Sequence, residues 1–148
     1  MLLRLVKWVV FAIFGLLMLA MSGIRSPFPD TEVTHQKPYA DFVGREYYVA
    51  SDVSAYAWND FPDKEKILSV TLMSPPGVRN RFVSYVTPLK PGQRVRIVSA
   101  WRRFVLFGFS RRYVVLLPGA GLPEDVEITM RVNSDGVPDP LVYEPIDK

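Results

Sequence analysis

The stretch Val-Glu-Ile-Thr-Met-Arg-Val at residues 126–132 alternates apolar and polar side chains over its whole length. Because successive side chains of a β-strand point to opposite faces of the sheet, this alternation matches a strand with its apolar residues on one face. We expect that face to pack on a hydrophobic core and the face with Glu127, Thr129 and Arg131 to meet solvent. The stretch therefore predicts a β-strand with one buried and one solvent-facing side.

Similar segments recur along the chain before this strand. Short runs rich in Val, Ile, Tyr, Phe and Thr alternate with turns such as Ser-Pro-Pro-Gly at 74–77 and Asn-Ser-Asp-Gly at 133–136. Strands are predicted at 46–51, 53–58, 67–73, 82–87, 94–101, 103–107, 111–117 and 126–132. This spacing predicts an all-β fold, either a small β-barrel (SH3-like or OB-like) or a sandwich, preceded by one N-terminal hydrophobic helix.

Residues 1–25 have the order of a membrane-directed segment, in which two basic side chains precede an uncharged run at 8–21. One interpretation is a retained anchor, because residues 5–24 would cover roughly 30 Å as a helix. The other is a signal peptide cleaved near Ser22, since small residues stand at the required positions before Gly23. The length and strong apolarity of the run favour the anchor.

Basic residues near this segment indicate its orientation. Arg4 and Lys7 precede the span, whereas Arg25 alone follows it closely. Because basic residues stay on the cytoplasmic side, the N-terminus is expected inside and the remaining chain beyond the membrane. The predicted location is the inner (cytoplasmic) membrane of a bacterium, with one pass and a periplasmic C-terminal domain. The alternative, after cleavage, is a secreted protein.

Prolines and turn residues divide the rest of the chain. Residues 26–40 are predicted to form a Pro-rich extended linker and residues 41–136 the exported β-domain. Residues 137–148 are predicted to be a Pro-rich C-terminal tail, as an extended strap or a loose end. The exported part is close to the common size of one domain, so we expect one core.

Charge argues against one class of partner. The chain has 18 basic and 15 acidic side chains, but Arg4, Lys7 and Arg25 belong to the first segment. Residues 26–148 are therefore neutral overall, whereas a nucleic-acid-binding domain is expected to keep a positive excess. Within this part, basic residues concentrate at 67–123, where the sequence has no acidic ones. This distribution predicts either pairing with the acidic flanking segments or a one-sided basic surface for an anion.

Few residues are suited to catalysis. The chain has no cysteine, and its one histidine, His35, lies in the predicted linker, which would not hold a base or a metal ligand rigidly. Carboxylates cluster at Asp60, Asp63 and Glu65 and again at 124–127, but in predicted loops or strand edges, where acidic side chains are solvated. We therefore predict a protein that is not an enzyme and has no catalytic residues, metal site or cofactor.

The segment at residues 101–113 is suited to an interaction. Two arginine pairs bracket an apolar run in which Gly108 permits a tight turn, so the arginines are expected to meet across the base of a hairpin with aromatic residues near its tip. Such a hairpin suits contact with a bilayer interface or with an apolar groove on a protein partner. The candidate partner-contact or membrane-contact residues are Arg102, Arg103, Phe107, Phe109, Arg111 and Arg112.

Two other interpretations of the aromatic residues stay open. In the first, which the sequence favours for most of the segment, Phe104, Leu106 and Phe109 fill the core and arginine stems cover its edge. In the second, four aromatic residues of neighbouring predicted strands form a stacking platform for a ligand. The platform residues are Tyr47, Tyr48, Tyr56 and Trp58.

Together, these features predict a membrane-tethered, non-enzymatic bacterial envelope protein. Its N-terminal helix is expected to contact the lipid bilayer, and its exported β-domain to bind a protein partner or to serve as an accessory subunit of a membrane complex. The alternative is a soluble periplasmic or secreted β-barrel that binds a glycan or a small anionic ligand. Nucleic acid is not an expected partner in either case.

Overall fold

The computed structural model describes residues 2–21, 29–60, 63–78, 81–105, 108–122 and 125–146. Within these residues the chain forms one N-terminal α-helix, α1 (Leu2–Met21), a short 3-10 helix (Tyr39–Asp41) and a single β-sheet. The strands are β1 Thr31–Glu32, β2 Glu46–Val49, β3 Val53–Asp60, β4 Asp63–Met73, β5 Val83–Leu89, β6 Arg94–Val105, β7 Gly108–Leu116, β8 Glu127–Arg131 and β9 Tyr143–Pro145. The predicted β-rich fold with one N-terminal helix is confirmed.

Hydrogen bonds join the strands in the order β5-β3-β4-β8-β7-β6-β2-β9, with β1 also paired to β6. Every pair is antiparallel except β4 and β8, which run parallel. In the part of the chain that the structure describes, β5 and β9 end this order and do not pair with each other. The sheet is therefore open, and the finer prediction of an SH3-like or OB-like barrel, or of a sandwich, is not confirmed.

One hydrophobic core serves the whole sheet. Its buried side chains come from both ends of the strand order, with Val53 and Leu89 from β3 and β5 and Tyr47 from β2. Ile97 and Tyr113, in the middle of the order, are fully buried. Burial of a large apolar side chain contributes about 1.5–3 kcal/mol, so this shared core is a main source of the stability of the sheet.

β8 largely follows the alternation that its sequence shows. Met130 is buried and Glu127 is exposed, as predicted. Thr129 departs from the prediction, because it is buried rather than solvent-facing. Its hydroxyl lies 3.1 Å from Thr71 Oγ1 and donates to the Val70 carbonyl at 3.2 Å, so its burial leaves its hydroxyl paired.

β6 is one strand where the sequence predicts two, at 94–101 and 103–107. Arg94–Val105 is continuous over 12 residues. Arg102 and Arg103, near its C-terminal end, do not interrupt it, because β1 pairs with one side of the strand there and β7 with the other. The irregularity in the ladder falls instead between Ile97 and Ser99.

The β-domain begins earlier than residue 41. Part of the predicted linker at 26–40 contributes to the sheet, because β1 pairs with β6. The side chains of Val33 and Tyr39 are buried in the core, and their apolar contacts outweigh the turn-forming residues around them. Only residues 22–28 separate α1 from the first described residue of the domain.

The C-terminal segment packs on the domain as a strap. β9 pairs with β2, and Val142 and Tyr143 are buried. The Ala50 amide also donates to the Val142 carbonyl at 2.8 Å. Residues 137–146 therefore belong to the fold, and the final two residues of the predicted tail lie outside the described part.

The side chains of α1 are apolar and exposed over most of its length. Trp8, Phe11, Phe14 and Leu16 expose 77%, 74%, 62% and 64% of their surface. The helix has 20 residues and is therefore about 30 Å long. No helix in the described ranges is both long enough and apolar enough to cross a membrane.

Candidate functional site

β6 and β7 form the hairpin that the sequence predicts. Arg102 pairs with Arg111 across the two strands, and Phe104 pairs with Phe109 nearer the tip. The arginines therefore meet across the hairpin with aromatic residues beyond them, as expected from the spacing. Two residues of the prediction lie outside the described part of the chain, namely Leu106 and Phe107.

The hairpin has two faces, because neighbouring side chains along a strand alternate. Arg103 and Arg112 share one face, as the cross-strand register shows. We call this the clamped face. The opposite face, which we call the tip face, contains Arg102, Phe104, Phe109 and Arg111.

Asp30, which precedes β1, holds the clamped face. Its carboxylate accepts hydrogen bonds from Arg103 Nε at 2.5 Å, Arg103 Nη2 at 2.9 Å and Arg112 Nη2 at 2.6 Å. Arg112 Nε also lies 3.6 Å from Glu127 Oε1 on β8. The hydrogen bond from Arg103, followed by the contacts with Arg112, lowers the pKa of Asp30 from 3.8 to about 2 despite partial desolvation. Asp30 and Glu127 belong to the acidic segments that flank residues 67–123, so acidic flanking residues do pair with arginines of that basic stretch.

Replacing Asp30 by asparagine should lower the free energy of unfolding at neutral pH by about 1 kcal/mol, a small value because solvent screens the half-exposed Arg103. The folded-state pKa of Asp30 is depressed, so its contribution is complete above the unfolded value near 4 and is lost as the pH falls through about 2. Urea unfolding at several pH values should therefore show a difference between wild type and Asp30→Asn that shrinks on acidification.

The control for this experiment is Asp52→Asn, which changes an exposed carboxylate that has no ion pair among the described residues. This variant should unfold like the wild type throughout the pH range. A destabilisation by Asp30→Asn that stays constant down to pH 2 would contradict the ion-pair explanation.

The tip face is apolar and exposed at its far end. Phe104 and Phe109 pack edge to face with ring centroids 5.5 Å apart, yet they expose 41% and 45% of their surface. The Arg102 guanidinium carbon lies 4.7 Å from the Phe109 ring centroid, within cation–π range. The prediction that these phenylalanines fill the core is wrong, because the hairpin extends past Ala100 and Tyr113, which are the buried residues on this face.

The arginines of the tip face have no carboxylate partner among the described residues. Arg111 donates from Nη1 to the Phe109 carbonyl at 3.5 Å, and its buried Nε has no hydrogen-bond partner in the described structure. Leaving a buried donor unpaired costs about 1–3 kcal/mol, and more for a charged group. The tip face therefore combines exposed aromatic rings with two positive charges and an unused donor.

The base of the hairpin is anchored in the core. Tyr113 is fully buried, and its hydroxyl donates to the Gly136 carbonyl at 2.7 Å. The ring also packs edge to face on Tyr39, with centroids 6.3 Å apart. Desolvation raises the pKa of Tyr113, so its hydroxyl remains a neutral donor. These contacts hold the strands from which the tip face extends.

The chain coming from α1 enters the domain beside the tip face. An open recess of about 320 Å³ is lined by Pro29, Thr31, Arg102, Phe104 and Phe109. Pro29 is the first residue described after α1, and Thr31 pairs with Arg102 in the β1–β6 ladder. Pro29, the first described residue of the domain, and the aromatic rings of the tip face therefore lie on the same side of the domain.

The predicted aromatic platform does not form. Tyr47 and Tyr56 are buried, with 5% and 9% of their surface exposed. Tyr48 lies on the opposite face of β2 from Tyr47, and Trp58 donates from Nε1 to Thr71 Oγ1 at 2.9 Å. Because β2 and β3 pair with different strands, the four rings do not line one surface. The sequence shows that the residues are aromatic but does not show which of them face the core.

The carboxylate clusters are surface groups. Asp60 accepts from Lys66 Nζ at 2.9 Å, and Asp63 Oδ1 accepts from the Glu65 amide at 3.0 Å. His35 is exposed near β1. No group of three His, Cys, Asp or Glu side chains that could hold a metal ion occurs in the described ranges. In the second cluster, Asp125 and Glu127 are exposed and Glu124 lies outside the described part.

Comparisons with known proteins give no functional information for this chain. No protein-family model matches it, and searches of curated proteins and of solved structures found no match.

Proposed function

We propose that the protein is a membrane-tethered, non-enzymatic envelope protein whose β-domain binds a protein partner or serves as an accessory subunit of a membrane complex. The observation that carries this proposal is an exposed, apolar α1 followed, after residues 22–28, by a separate β-rich fold. Residues 8–17 of α1 are apolar and exposed on every side, and such a surface is unfavourable in water and favourable in lipid. In this proposal α1 lies in a bacterial inner membrane and the β-domain is periplasmic.

The proposed span extends beyond the described helix. Uncharged residues run from 8 to 24, three residues past the end of α1. As a helix they would cover about 25 Å, near the lower end of the lengths that span a hydrocarbon core of about 30 Å. The Lys7 side chain can extend its amine to the headgroup region. Part of the helical turn before Trp8 can then lie in the apolar layer, which lengthens the proposed span.

We also propose that the sheet curls into a partly open barrel. β2 and β3 follow each other in the chain, and so do β5 and β6. β2 pairs with β6, and β3 pairs with β5. Between the two ladders the Val49 amide donates to the Gln93 carbonyl at 2.9 Å, and the Gly92 amide donates to the Val49 carbonyl at 2.8 Å. The backbone hydrogen bonds therefore continue from the β2–β6 ladder to the β3–β5 ladder. This continuity and the shared core support a sheet whose two ends approach each other.

A binding role is better supported than a catalytic one. Asp60 and Glu127, which belong to the two acidic clusters considered for catalysis, lie at the surface beside Lys66 and Arg112. The alternative of a secreted, glycan-binding barrel loses the support of its aromatic platform, because two of the four rings are buried. A small anionic ligand remains compatible with the arginines of the tip face, which have no carboxylate partner among the described residues, and cleavage of the N-terminal segment would favour it.

The tether is tested by fractionation of cells that produce the full chain, with intact-mass measurement of the protein recovered. We expect the uncleaved chain in the membrane fraction, resistant to alkaline extraction, with its β-domain accessible to protease only from the periplasmic side. Cross-linking in the native membrane should then yield one stoichiometric protein partner. Recovery of a soluble form that begins at Gly23 would refute the tether.

A further inference from the structure

We propose that the tip face docks on the phospholipid headgroups of the membrane that holds α1. In this arrangement Phe104 and Phe109 enter the headgroup boundary, and Arg102 and Arg111 bind lipid phosphates. The inference rests on the proposed tether and deepens it, because it assigns the hairpin to lipid and leaves the remaining surface of the β-domain for the protein partner.

The length of the connection limits how far the tip face can lie from the membrane. Met21 and Pro29 are separated by residues 22–28, so their Cα atoms can be at most about 28 Å apart in a fully extended chain. Pro29 lines the same recess as the two phenylalanines. The aromatic tip is therefore held within reach of the headgroup layer on the side where α1 ends.

The clamped face determines which side of the domain turns toward the membrane. Asp30 is bonded to Arg103 and Arg112, and the next residue, Thr31, pairs with Arg102. These contacts attach the incoming chain to the hairpin itself rather than to a distant part of the sheet. Because the tether joins the domain beside the hairpin, it raises the effective concentration of the tip face at the bilayer surface.

The side-chain chemistry of the tip face matches a phospholipid surface. Guanidinium groups bind phosphate oxygens with charge-assisted hydrogen bonds, and aromatic rings are favourable at the boundary between headgroups and acyl chains. The arginines of the clamped face already have carboxylate partners, whereas Arg102 and Arg111 have none among the described residues.

Site-specific labelling is straightforward because the chain contains no cysteine. Three single variants of the full chain, Phe14→Cys in α1, Val105→Cys beside the tip face and Leu141→Cys on a distant exposed site, would each carry an environment-sensitive fluorophore. Each purified protein is reconstituted alone into phosphatidylcholine and phosphatidylglycerol vesicles that contain a nitroxide-labelled lipid. We expect strong quenching at positions 14 and 105 and no quenching at position 141.

A second set of variants tests the two arginines. In the Val105→Cys background, Arg102→Gln with Arg111→Gln should reduce quenching toward the level of the distant site and remove its dependence on phosphatidylglycerol. The matched control, Arg94→Gln with Arg96→Gln, removes the same charge from another part of the sheet and should leave quenching unchanged. Circular dichroism of each protein checks that the β-domain is folded.

The outcomes separate this inference from the tether. Quenching at position 14 without quenching at position 105 overturns lipid docking, keeps the tether and points to a protein as the occupant of the tip face. Absence of quenching at position 14 overturns both proposals. Quenching at position 105 that the arginine substitutions do not change overturns the assignment of Arg102 and Arg111 to lipid phosphates.

Discussion

Replacing Gly77 by alanine is expected to lower the free energy of unfolding of the β-domain by about 3 kcal/mol, by combining backbone strain with overpacking. Gly77 has a φ of +65°, a conformation that side chains with a Cβ rarely adopt. A Cβ at this position would also overlap the ring of Tyr56. Tyr56 is only 9% exposed, so its ring has little room to move away. Urea unfolding followed by fluorescence measures the change.

Gly92→Ala is the matched control for this experiment. Gly92 has a φ of +83°, but an added Cβ would meet nothing within 4 Å. Its substitution therefore isolates the backbone contribution, which we expect to be about 1 kcal/mol. Equal destabilisation by the two variants would show that the Tyr56 ring adapts without cost, contrary to the packing argument.

In the proposed membrane-tethered arrangement, replacing Phe11 and Phe14 together by arginine is expected to release the protein from the membrane. Exchange of Phe for Arg near the centre of a span shifts the free energy of insertion by roughly 3 kcal/mol, so two exchanges shift it by roughly 6 kcal/mol. Both side chains are exposed in α1, so the β-domain should still fold. Immunoblotting of membranes after alkaline extraction measures the fraction that stays inserted.

The corresponding control places the same charges on the β-domain. Leu68 and Leu141 are exposed by 49% and 81%, so their replacement by arginine should not disturb the core. This double variant should stay in the membrane fraction. If the α1 variant also resists extraction, then another part of the chain holds the protein in the membrane.

Local patterns in the sequence predict individual strands but not how the strands pair. The alternation at 126–132 correctly predicts β8, and the same reasoning finds most other strands. The parallel pairing of β8 with β4, in which Val70 lies opposite Ile128, joins residues far apart in the chain. No local period contains that information, which is why the choice between barrel and sandwich could not be made from the residues.

The sequence predicts the part of the candidate site that lies within one hairpin. It does not predict the part that depends on residues far apart in the chain. The paired arginines and Gly108 predict the meeting of Arg102 with Arg111. The role of Asp30 was missed, because it lies 73 residues before Arg103 in a stretch that its prolines mark as a linker. No periodic signal marks β1, because its two residues, Thr31 and Glu32, are both polar and exposed.

The parallel pairing of β4 with β8 also has a consequence for the order in which the domain can fold. In a chain that crosses a membrane from its N-terminus, Thr71 emerges 58 residues before its partner Thr129. Until then β4 can pair with β3 alone, and its other edge stays open to association with other strands. With the proposed export, the sheet would therefore be completed only at the end of translocation, and pairing over such sequence distances is slow. Holding the emerging chain at the membrane, away from other unfolded chains, would protect that edge in the interval.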